Sequence, residues 1–224
     1  MSDWGTGERH YREAFDLITH QPQKLGLMSG WSWYDDPKRL GFLLARYKFV
    51  AKMLAGQDHV LEVGCGDGFG TRVVAQTVGR ITAVDFDAEL INSAKEIMSD
   101  RWPFECYVHD MMQGPVPGEF AAVYSLDVLE HILPDQESKF LNHLTASLLP
   151  QGVAIIGMPS LQSQSHASAH SRIGHVNCKD QSDFKQVMLK WFHQVFMFSM
   201  NDEVVHTGFH PMSHYNLCVC CGKK

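Results

Sequence analysis

Long apolar runs are missing from this sequence. Even residues 42–54 are interrupted by Arg46, Lys48 and Lys52, so no segment reads as a membrane-spanning helix. The first ten residues are polar and lack the apolar centre of a secretion signal, and the expected location is cytoplasmic. Positive charge is scarce as well: 19 Lys and Arg face 25 Asp and Glu, for a formal net charge of −6. That balance excludes the basic stripe that holds long nucleic acid by its phosphates, while a short terminus or a nucleotide-sized substrate stays open. No internal repeat is visible. The six cysteines do not make a paired zinc motif, because Cys65, Cys106 and Cys178 are scattered and Cys218, Cys220 and Cys221 have no distant second pair. Reduced thiols are expected, with residues 217–221 read as a buried final strand.

What is present is the balance of an ordinary globular domain, 224 residues with 45% apolar and 20% charged side chains. From His59 onward, short apolar runs alternate with helical patterns, which points to a parallel sheet with crossover helices. Strands are expected at 59–63, 80–85, 104–108, 120–125 and 153–157. Two more, near 195–200 and 215–221, are placed to pair antiparallel at the sheet's end. Helices are expected at 69–78, 88–99, 136–149 and 181–192. Residues 1–50 read as a helical cap with an aromatic cluster at Trp31, Trp33 and Tyr34, within one domain spanning 1–224. Residues 158–180, rich in Ser, Gln and His, are too long for an idle connection and are expected to overhang the substrate side.

The most specific feature is Glu62-Val-Gly64-Cys65-Gly66-Asp67-Gly68, at the end of a strand and the start of a helix. Glycines at alternate positions let the backbone turn tightly and let a ligand approach without Cβ interference. A dinucleotide fingerprint would need glycine or alanine at Phe69 or Thr71, and it fails. A pyrophosphate also avoids nearby anions, whereas Glu62 and Asp67 flank these glycines. The loop suits a ligand carrying an ammonium and a sulfonium. Asp85, ending the second strand, stands where an acid accepts hydrogen bonds from ribose hydroxyls.

Over residues 60–153 these features resemble the class I S-adenosylmethionine-dependent methyltransferases. The resemblance implies a Rossmann-like α/β fold, a mainly parallel seven-stranded sheet with helices on both faces and an antiparallel last strand. It implies that Glu62, Gly64, Cys65, Gly66 and Gly68 contact the methionyl portion of S-adenosyl-L-methionine, with Phe86 beside the adenine and Asp110 and Met111 at its edge. Leu148-Leu-Pro-Gln-Gly152 resembles the family's turn before strand five, with Gln151 in place of a glycine. In relatives the N-terminal segment folds over the cofactor, and Arg46 is the candidate partner for the methionyl carboxylate.

Ser125-Leu-Asp127-Val-Leu-Glu130-His131 resembles the strand-four motif of small-molecule O-methyltransferases, the ubiquinone-pathway enzymes among them, and of small-RNA 2′-O-methyltransferases. In those relatives a Glu-x-x-Glu-His pattern binds a divalent ion, and Asp127 stands in place of the first Glu. Gly174-His175-Val-Asn177 resembles the place where metal-using relatives supply a further His. Asp127, Glu130 and His131 share one face of a helical turn by spacing, so with His175 they are candidates to hold Mg²⁺ or Zn²⁺. The imidazole alone could instead act as a general base, and Asp127 could merely cap a helix. Asp127 is also a candidate cofactor contact. His166 and His170 join His175 in the overhanging segment, and His206, His210 and His214 either line the pocket or lie at the surface. The expected activity is methyl transfer by in-line displacement to a hydroxyl of a small-molecule or sugar-type acceptor. The competing expectations are an RNA 2′-O-methyltransferase, disfavoured by the acidic balance, and an inactive cofactor-binding partner subunit.

Overall fold

A computed structural model describes residues 9–16 and 23–224. Helices α1 (Arg9–Asp16), α2 (Leu27–Asp35) and α3 (Lys38–Met53) precede the sheet. The sheet region then runs β1 (His59–Val63), α4 (Thr71–Ala75), β2 (Arg80–Asp85), α5 (Ala88–Glu96), β3 (Glu105–Val108) and β4 (Phe120–Leu126). It continues through α6 (Glu137–Ala146), β5 (Leu148–Pro159), α7 (Ala169–Gly174) and α8 (Gln181–Met188), and ends with β6 (Phe192–Asn201), β7 (Val204–His206) and β8 (Tyr215–Lys223). The strand order is β3-β2-β1-β4-β5-β8-β6-β7. β1 to β5 pair in parallel, β8 is antiparallel to both β5 and β6, and the expected pairing of the last two long strands is present.

The strands are apolar on both faces because helices cover both. Leu61 and Val63 of β1, Val123 of β4 and Ile156 of β5 join one core with α6 and α8. Their neighbours Val60, Ala122, Tyr124 and Ile155 join a second core with α3, α4 and α5. This alternation is the period-2 geometry of a strand sandwiched between helical layers. α3 belongs to the second layer because Leu40, Tyr47, Val50, Ala51 and Leu54 recur along one side and are buried.

Two details depart from expectation, and a third adds to it. The sheet has eight strands rather than seven, because Asp202 adopts φ 49° in a tight turn and folds β7 back on β6. The turn expected before β5 is absorbed into that strand, where the register on β4 jumps between Leu148 and Val153. The polar segment after β5 is also structured, with a 3₁₀ turn at Gln162–His166 followed by α7.

Candidate active site

The carboxyl ends of β1, β2, β3 and β4 open into a cavity of about 650 Å³, roofed by α2 and lined by Met28, Gly64, Asp85, Phe86, Asp110 and His131 among others. A crevice at strand ends, where the order reverses between β1 and β4, is where open α/β sheets bind ligands. The glycine loop forms its floor. Gly64 and Cys65 donate their N–H groups to the Val84 carbonyl at 2.8 and 3.1 Å, tying β1 to β2. Gly64 has φ 82°, and an added Cβ would collide with Val128 Cγ2, so both backbone and packing favour glycine here. Asp85 braces the same loop: one carboxylate oxygen accepts from Gly66 N at 2.9 Å and the other from Asp87 N at 3.0 Å. Phe86, 76% exposed, lines the cavity together with Asp110 and Met111. Cys65 lines the cavity too, and burial followed by the charges of Glu62 and Asp85 pushes its thiol pKa up.

Several expectations are corrected. Glu62 does not face the cavity. It is buried behind the loop, where Tyr47 and Tyr124 each donate a hydroxyl to one of its oxygens at 2.7 Å. Burial raises its pKa to about 7, with hydroxyl hydrogen bonds offsetting only part of the rise. Both tyrosines are held well above their usual range by burial first and Glu62 second, and so stay protonated as donors. Gly68 also lies behind the loop, where a Cβ would meet the Phe104 ring at 2.7 Å. Asp67 lines the cavity, but its carboxylate is used to hold α2, accepting from Ser29 N at 2.7 Å and Ser29 Oγ at 2.8 Å. Arg46 is outside the cavity. Its Nη1 donates to both oxygens of Asp127 at 2.8 and 2.7 Å, and its guanidinium lies 3.8 Å over the Tyr215 ring.

After β4 the chain makes a single 3₁₀ turn, Leu129–His131, so Asp127, Glu130 and His131 do not share one face. Asp127, at φ 57°, lines the cavity beside Arg46. His131 turns to the cavity wall. Glu130 points inward, fully buried, and neither of its carboxylate oxygens has a hydrogen-bond partner. Burial first and the Asp127 charge second raise its pKa well above the usual carboxylate range, against a smaller opposing pull from the Arg46 charge. From the far side of the sheet end, His175 brings its ring to 5.2 Å from that of His131. One ligand atom each from Glu130, His131 and His175 lies within 4.8 Å of the others. Three of the four candidate ligands are thus brought together. Asp127 is left out, because Arg46 has taken both its oxygens.

The late histidines expected either at the pocket or at the surface lie away from the pocket. His206 bonds Asn201 and Gly208, His210 sits 3.7 Å from Asp180, and His214 packs on Phe42; none lines the cavity. The side chain of His170 lies outside the described residues. Among the described residues, Cys218, Cys220 and Cys221 gather no imidazole or carboxylate into a ligand cluster, and the first two are buried in β8. The contributions of Ser29, Met28 and Tyr124 have no local sequence signal, since each acts through a partner distant in the chain or through its place on the cavity wall.

Residues 60–152 match the family model described as a methyltransferase domain. A probable S-adenosylmethionine-dependent methyltransferase of Mycolicibacterium smegmatis is 28% identical over 116 residues, 51% of this chain and 42% of that protein. The mitochondrial ubiquinone biosynthesis O-methyltransferase of Schizosaccharomyces pombe is 27% identical over 140 residues, 56% of this chain and 49% of that one. The chain therefore spans about half the length of the curated relatives it matches. In fold it is similar to the N-methyltransferase NodS of Bradyrhizobium japonicum in complex with S-adenosyl-L-homocysteine, at TM-score 0.64 and 18% identity, covering 87% of this chain and 92% of that one. Sheet order, glycine loop and family match agree: the fold is Rossmann-like, and over residues 60–152 the chain is similar to S-adenosylmethionine-dependent methyltransferases.

Proposed function

We propose that the chain binds S-adenosyl-L-methionine in the cavity and transfers its methyl group to a hydroxyl oxygen of a small-molecule or sugar-type acceptor. The observation that carries this reading is His131 on the cavity wall, backed by an unpartnered buried Glu130 and by His175. Methyl transfer is an in-line displacement, and an alcohol is the acceptor that most needs help losing its proton. The floor of Gly64, Cys65 and Gly66, with Asp85 and Asp110 at the walls, suits the cationic cofactor.

The donor set fits a divalent ion. Two imidazoles and one carboxylate suit a borderline cation, and the two orphaned oxygens of Glu130 are otherwise a costly burial. Glu130, His131 and His175 would hold the ion, which when bound lowers the pKa of a hydroxyl on it. His131 would thereby set the ion beside the cavity wall, while α2 covers the cavity from above.

His131→Ala should lower turnover by about 10²–10⁴-fold, with affinity for S-adenosyl-L-homocysteine nearly unchanged. The assay is release of that product with phenolic and sugar-type acceptors, alongside calorimetry. Equal losses in turnover and affinity would make His131 structural, and activity surviving exhaustive chelation would remove the ion. No heat from the cofactor or its product would overturn the whole reading.

A further inference from the structure

The segment between β5 and α8 carries a polar scaffold that the cavity alone does not require. Val176 and Asn177 both donate N–H to the Glu130 carbonyl at 2.9 Å, fastening the chain beyond His175 onto the Glu130–His131 turn. Asn177, buried, donates to Glu137 Oε2 at 2.9 Å and accepts from Lys179 Nζ at 2.8 Å, and Lys179 pairs with Glu137 at 2.8 Å. The imidazoles are each gripped at Nδ1. His131 Nδ1 meets the Gly174 carbonyl at 2.9 Å, and His175 Nδ1 meets Gln164 Oε1 at 2.9 Å. A carbonyl oxygen only accepts, so both rings carry a hydrogen on Nδ1, and in the neutral form of each ring Nε2 keeps the lone pair. Gln164 is itself aimed: its Nε2 donates to the Ser160 carbonyl and to Ser163 Oγ, both at 3.2 Å, which turns Oε1 toward His175.

We propose that Gln164 is a positioning residue for the Glu130–His131–His175 cluster, its side-chain carbonyl selecting the His175 tautomer that binds a divalent cation through Nε2. This rests on the cluster being a metal site, as proposed above. Partners that orient a ligating imidazole from behind typically carry about 10- to 100-fold in metal affinity. Gln164 does not line the cavity, so its effect on the cofactor should be nil.

The test titrates Co²⁺ into the full chain, read by calorimetry and visible absorption, with S-adenosyl-L-homocysteine affinity and melting temperature measured in parallel. Gln164→Leu should bind Co²⁺ about 10- to 100-fold more weakly with the other two readouts unchanged. Gln164→Glu, which restores an acceptor, should recover most of the affinity. Wild-type protein that binds no Co²⁺ would overturn the metal reading and this inference together. Wild-type binding matched by Gln164→Leu would overturn the inference alone. So would a Gln164→Glu variant as weak as Gln164→Leu, or a parallel loss of melting temperature, since either makes Gln164 a loop brace.

Discussion

Replacing Glu62 with Gln should stabilise the protein at pH 8 and leave it nearly unchanged at pH 5. The carboxyl is 1% exposed and its pKa is raised from 4.5 to about 7, burial being the main cause. That displacement corresponds to about 3 kcal/mol. The folded state keeps the Glu62 proton between about pH 4.5 and 7, whereas the unfolded chain has released it, so folding stability falls as pH rises through that window. Above it the full cost of a buried charge remains. Gln has no proton to lose and fills the same space. One of the tyrosine hydroxyls that now donate must turn to accept from the amide, which trims the gain to roughly 1–3 kcal/mol. For a chain of this size the melting temperature should rise by about 2–10 °C at pH 8. Urea unfolding of both proteins at pH 5 and pH 8 measures the difference, and contributions from other groups cancel in the comparison. A variant less stable at pH 8, or a difference that ignores pH, would refute the account of Glu62 as a buried, partly protonated carboxyl.

Two further substitutions test the roof and floor of the cavity. Asp67→Ala removes the acceptor of Ser29 N and Ser29 Oγ and should cost about 2 kcal/mol, with faster hydrogen exchange confined to residues 26–35; unaltered exchange there would mean α2 is held by packing alone. Gly64→Ala should destabilise by several kcal/mol, since φ 82° and the collision with the Val128 side chain both oppose a Cβ. Adding Val128→Ala should return the steric part but not the backbone cost of about 1–2 kcal/mol, as read by denaturant unfolding.

The order of elements was legible because it is written in short-range patterns. β1 and β2 begin and end where their apolar runs do, and the glycine loop announces itself by spacing. Helix ends were less legible: α4 is only Thr71–Ala75, because Gly68 at φ 71° holds the backbone before the helix in the left-handed region and delays the first helical turn. β7 was missed because three residues carry too little pattern to separate a strand from a loop. Inside the site, periodicity placed Asp127, Glu130 and His131 on a common helical face, but one 3₁₀ turn sends Glu130 into the core and His131 to the cavity.

Charge assignment failed for a related reason. The sequence places Glu62 and Asp67 beside the glycines, yet says nothing of Tyr47, Tyr124 or Ser29, which capture their oxygens from elsewhere in the chain. Arg46 and Asp127 are 81 positions apart, and no local rule foretells that they neutralise one another. The acidic character of the cavity nonetheless persists, carried by Asp85 and Asp110 at the ends of β2 and β3. Asp85 ends β2 and lines the crevice, whereas Glu62, one residue before the end of β1, shares the face of Val60 that the helices cover, and Tyr47 and Tyr124 capture it there. The pairing of Arg46 with Asp127 leaves Glu130 as the carboxylate beside the two imidazoles.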